Sequence, residues 1–75
     1  MYTIKTTFNK LEDGQFFTFR KNGIIINHNA IESICYKVDD SYTDINGVIH
    51  KINVRDLAGG ASYIKNKRCF VWVEE

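Results

Sequence analysis

Four side chains in this sequence belong to the types that hold metals or act as nucleophiles and bases: His28, Cys35, His50 and Cys69. Structural zinc sites draw their ligands from close pairs such as C-x₂₋₄-C. The nearest approach here is His28 to Cys35, so no metal site is expected. His28 reads as a loop residue and His50 as a strand residue. Nucleophilic catalysis needs a Cys or Ser beside a base that is itself oriented, which leaves only Cys35 with His28 or His50. Both cysteines sit in apolar runs, "SICYKV" and "RCFVWV", where a thiol behaves as a small buried hydrophobe. Asp39 and Asp40 point to opposite faces of an extended chain and do not converge for acid–base work. Before Ser41 they read as turn formers. "AGGAS" lacks the lysine and the strand-to-helix setting of a phosphate loop. Its Gly59-Gly60 amides suit a flexible connector better than an anion nest. No enzyme, cofactor or metal is expected.

The C-terminal stretch "SYIKNKRCFVWVEE" raises a second kind of chemistry. Single-strand binders combine a basic groove with aromatic platforms. Arg20, Lys21, Lys65, Lys67 and Arg68 could hold phosphates, with Tyr63 or Trp72 stacking on a base. Glu74 and Glu75 directly after the strand oppose phosphate and resemble charges that guard an apolar strand against aggregation. Ten basic residues stand against nine acidic ones, a net charge of +1. That balance weighs against a generic nucleic-acid coat, which needs many uncompensated cations, but not against a local patch. A nucleic-acid or nucleotide-binding domain, including an oligomer that sequesters a small phosphorylated ligand between subunits, is the alternative function.

The elements that would position these groups are short strands. Val, Ile, Tyr, Phe, Trp and Thr dominate the apolar runs and fit pleated, half-buried strands. "YTIKTTF" alternates and reads as the first strand, and "FFTFRK" as the second, bounded by turns at Asp13-Gly14 and Asn22-Gly23. "IIIN" follows. "HNAIESI" predicts a single helical turn, with Asn29 and Glu32 spaced as a capping box. "ICYKV" leads into a "DDS" loop. Asn46-Gly47 within "SYTDINGVIHKINV" predicts a type I′ hairpin turn. "RDLAGGASYIKNK" reads as a loop with a short turn, then a brief strand or bend before the strand "RCFVWVEE", and its residues 57–64 would lie across one end through Leu57, Ala58 and Tyr63. The sum is a single all-β domain over residues 1–75 with five or six short strands. The architecture expected is a small curled antiparallel sheet or an SH3-like β-barrel.

The piece "NGIIINHNAIESICYKVDDSYTDINGVIHKINV" resembles a pattern of small bacterial β modules such as the FlbD-like flagellar proteins. There an extended stretch ending in Asn precedes an "I-x-x-I" turn and a hairpin with Asn-Gly. The resemblance covers under half the chain and implies strands and turns, with no function attached.

Alternation gives the most informative expectation. Cys69, Val71 and Val73 point one way and Phe70 and Trp72 the other. Phe17 and Phe19 likewise oppose Phe16, and Ile24 and Ile26 oppose Ile25. A small antiparallel sheet normally packs one face and wets the other, yet here both faces are apolar. A domain this short also buries too little to be very stable alone. Self-association or a partner protein answers both points, with Phe16, Ile25, Phe70 and Trp72 as the surface. The expected function is a non-enzymatic interaction module, a homo-oligomer or a domain docked on a partner protein. The profile suits a phage- or mobile-element-encoded inhibitor, and the Ile-over-Leu bias (ten to two) suits an AT-rich bacterial or phage origin. No leader pattern and no long apolar run is visible, so the expected compartment is a reducing cytoplasm, away from membranes.

Overall fold

In a computed structural model of the chain, residues 1–22, 25–26, 29–30 and 34–75 are described, with only the backbone described for 25–26 and 29–30. The strands are β1 (Tyr2–Thr7), β2 (Phe16–Thr18), β3 (Ile25–Ile26), β4 (Asn29–Ala30), β5 (Ile34–Thr43), β6 (Ile49–Asp56), β7 (Ala61–Ser62) and β8 (Phe70–Glu74). One 3-10 turn, Phe8–Lys10, follows β1. Six strands form an antiparallel sheet in the order β1-β8-β2-β5-β6-β7, and β3 and β4 pair as a separate ribbon. No helix among the described residues is long and apolar enough to cross a membrane.

The all-β expectation holds, as a curled sheet that does not close into a barrel. Closure would require β7 to pair with β1. β7 has two residues, preceded by Gly59-Gly60, and cannot span the six-residue β1. The open edge of β1 carries Lys5 and an irregular register at Tyr2 and Ile4, two devices that discourage edge pairing.

Three local expectations change. The "DDS" segment lies inside β5, where the register against β6 slips by one residue between Lys37 and Asp40. This is a β-bulge, and bulges bend a strand and re-aim its side chains. Asp40 is held there by Arg55 Nη2 at 2.9 Å and by the Ser41 N–H at 2.8 Å. The Asn46-Gly47 hairpin is not type I′, because Gly47 has φ +80° while Asn46 does not enter the left-handed region. Gly47 N–H donates to the Asp44 carbonyl and Asp44 N–H to the Val48 carbonyl, each at 3.0 Å. Asp44 Oδ1 also accepts from the Asn46 and Val48 amides. An Asp so placed favours a type I turn closed by a left-handed Gly. The helical turn predicted from Asn29 does not begin there: Asn29–Ala30 pairs antiparallel with Ile25–Ile26. Ile34, the last residue of that segment, already belongs to β5, while His28 and Glu32, and Ile24 of the preceding stretch, lie outside the described residues.

The core sits on one face of the sheet. Phe8, Leu11, Phe17, Cys35, Val54 and Val71 form it, with Ile64, Cys69 and Val73 packed against them. Phe17 meets Phe8 and Phe19 edge-on at 5.5 and 5.1 Å between ring centroids. Two irregular segments roof this face. One begins at the 3-10 turn and brings Leu11. The other, residues 63–69, brings Ile64, while Leu57, Ala58 and Tyr63 stay exposed instead of covering the end.

Candidate functional site

The second face of the sheet carries Phe16, Tyr36, Phe70 and Trp72. Phe16 stands opposite Tyr36 across β2 and β5, in edge contact at 5.8 Å. Thr18 stands opposite Trp72 across β2 and β8, and Lys5 opposite Trp72 across β1 and β8. Lys5 Nζ lies over the Phe70 ring at 4.1 Å and near the Trp72 ring at 5.8 Å. Alternation from Trp72 puts Phe70 and Glu74 on this side as well. The result is a stripe running Phe70, Trp72, Thr18, Phe16, Tyr36 across three strands. Phe16 is 49% and Phe70 57% exposed, while Trp72 and Tyr36 are half-buried. Three of the four expected surface residues therefore share one face. The fourth, Ile25, lies in β3, and its side chain is outside the described residues.

The expected phosphate contacts distribute differently. Arg20 and Lys21 are exposed in the turn after β2. That turn returns to the start of β1, where Asn22 N–H donates to the Tyr2 carbonyl at 2.8 Å. Lys65 and Arg68 are exposed in the loop before β8. Tyr63 and Lys67 alone of that set line a cleft of about 300 Å³, on the core side of the sheet. Its other walls are Phe8, Asp13, the bulge from Lys37 to Asp40, and Lys51 to Asn53 on β6. Lys37 and Lys51 were not expected there. Lys37 shares the side of β5 that carries Cys35, so its presence on the core face was readable from alternation. It snorkels over the Phe8 ring at 5.2 Å and donates to the Leu11 carbonyl at 2.8 Å.

His50 stays apart from the Cys35 end of the β5–β6 hairpin. His50 is at the far end of the β5–β6 hairpin, stacked on Tyr42 at 4.9 Å and bonded through Nε2 to Asp44 Oδ2 at 2.8 Å. Among the described residues, no three His, Cys, Asp or Glu side chains cluster to hold a metal; His28 lies outside them. The bond from His50 and the Val48 and Asn46 amides hold the Asp44 carboxyl below its ordinary range. A carboxylate depressed in the folded state stabilises above its unfolded pKa and loses that contribution as pH falls through the folded one. The Asn46 and Val48 amide shifts should therefore titrate together below the ordinary aspartate range. A midpoint at the ordinary value would remove this cap from the hairpin.

Neither cysteine is in a disulfide. Burial first, and then the Asp56 charge, push the Cys35 thiol up. Thiolate is the reactive form, and Cys69 is less buried than Cys35. A thiol reagent at mildly alkaline pH should label Cys69 first and Cys35 only as fast as the fold opens. Equal rates at the two sites would contradict this arrangement. No family model, curated protein or solved structure matches the chain.

Proposed function

We propose that this protein is a non-enzymatic interaction module that works as a homo-oligomer, with copies packed aromatic face on aromatic face. One observation carries the reading. The sheet buries its core on one side, while Phe16 at 49% and Phe70 at 57% exposure flank half-buried Trp72 and Tyr36 on the other. Fully burying a large apolar side chain contributes about 1.5–3 kcal/mol. Several half-exposed rings covered at once would add substantially to a core of six buried residues. A second copy suits the stripe electrostatically. Lys5 lies on it and Glu74 at its rim, and a two-fold contact, which pairs residue i with j and j with i, can oppose them.

Native mass spectrometry of the protein as purified tests this. A dimer or higher ring of bare subunits is expected, and Phe70→Asp should shift it to monomer with an unchanged far-UV circular dichroism spectrum. A wild-type monomer, or a Phe70→Asp variant that stays associated, would overturn the reading.

A further inference from the structure

We infer that the cleft between the β5 bulge and loop 63–69 binds a phosphorylated small molecule carrying a flat ring, of mononucleotide size. The site is on the core side, away from the aromatic stripe, and does not depend on self-association. Its volume of about 300 Å³ is at the lower end of small-molecule pockets.

Three lysines from three separate segments line it: Lys37 from β5, Lys51 from β6 and Lys67 from the loop. None is in an ion pair among the described residues. Three carboxylates share the cleft, but Asp40 is committed to Arg55 at 2.9 Å. Asp13 and Asp39 remain, so the cations outnumber the uncommitted carboxylates by one. Lys37 has given one N–H to Leu11 and keeps two for an anion. Tyr63, 44% exposed, supplies the flat apolar surface that a base would use, while the Phe8 ring is fully buried beneath Lys37. Asp13 and Asp39 can accept from base amino groups or sugar hydroxyls.

The walls are fixed by backbone bonds. Asn9 N–H donates to the Lys67 carbonyl at 2.8 Å, and Gly14 N–H to the Lys37 carbonyl at 2.7 Å. Asn53 ties down Ile64, next to Tyr63, through both ends of its amide. A site whose walls are held before the ligand arrives loses less entropy on binding.

Amide NMR titration of the full chain with adenosine 5′-monophosphate tests the inference, with inorganic phosphate and glucose 6-phosphate as comparison probes. Saturable shifts confined to residues 37–40, 51–53 and 63–67 are expected, strongest for the nucleotide and reduced by salt. Lys51→Gln with Lys67→Gln should weaken binding roughly tenfold per lysine. Tyr63→Leu should cost about tenfold for the nucleotide and leave inorganic phosphate unchanged. Lys65→Gln with Arg68→Gln, in the same loop but outside the cleft, should have little effect. No saturable response to any probe would overturn the inference, as would shifts elsewhere or equal losses in both double variants. Equal binding of glucose 6-phosphate and nucleotide would overturn the assignment of a flat ring.

Discussion

Phe17→Ala is expected to unfold most of the protein at room temperature, while Phe16→Ala leaves the subunit folded. The two residues are adjacent, of one type, and in one three-residue strand. Phe17 is fully buried and has Phe8 and Phe19 edge-on against it. Truncating a buried Phe removes its transfer free energy and leaves a cavity, a cost of about 3–5 kcal/mol. A single small core rarely supplies more than about that in total. The roof over Phe17 is two irregular segments, which can sag into a cavity but cannot replace the lost ring contacts. Phe16 points away, touches Tyr36 at its edge and is half exposed. Its loss should cost the isolated subunit about 1 kcal/mol, an ordinary value for a substitution outside the core. Urea denaturation followed by circular dichroism, at concentrations low enough to keep subunits apart, measures both. Equal midpoints for the two variants would show that the faces are misassigned.

That contrast was legible in the sequence, because strand geometry fixes it locally. Once "FFTF" and "CFVWV" are extended, a period of two puts Phe17 with Phe19 and Val71 with Val73, and sends Phe16, Phe70 and Trp72 to the other side. Features that depend on distant segments were not legible in this way. Whether the sheet closes depends on the length of β7 relative to β1. Asp39 and Asp40 look like a loop on their own and become strand because β6 supplies the ladder and Arg55 the counter-charge. Asn46-Gly47 signals a hairpin correctly. The turn type follows from Asp44, two residues earlier, which occupies the amides a type I turn exposes. The roof was missed because Leu11 is a lone apolar residue in a polar stretch, with no period to reveal it. The cleft has a similar origin, since its lysines come from segments far apart in the chain. Lys37 alone betrays it, as a cation on the side of β5 that carries Cys35.

Asn53→Leu should be the most damaging polar substitution, although it keeps the branched outline of the side chain. Asn53 is buried on β6 opposite the bulge. Its Nδ2 donates to the Ile64 carbonyl at 2.9 Å and its Oδ1 accepts from the Ile64 N–H at 2.7 Å. Among the described residues no strand pairs with Ile64, so the amide substitutes for a ladder. Leucine leaves both backbone groups without partners, at about 1–3 kcal/mol each where water cannot reach them. Loop 63–69 can recover water only by lifting away, and that pulls Ile64 off the core. The expected loss is about 2–4 kcal/mol, together with collapse of hydrogen-exchange protection at the Ile64 amide. Asn53→Asp keeps the acceptor and loses the donor, so it should fall between wild type and leucine. Asn66→Ala is the comparison within the same loop. That side chain is exposed and, among the described residues, accepts only from the Arg68 N–H at 3.1 Å, so its loss should stay within about 0.5 kcal/mol. If Asn53→Leu instead melts with wild type and keeps Ile64 protected, the loop is held by apolar packing alone. The wall that brings Tyr63 and Lys67 to the cleft would then owe its position to Ile64 and Cys69, and the bulge facing Asn53 would be a feature of the β5–β6 hairpin only.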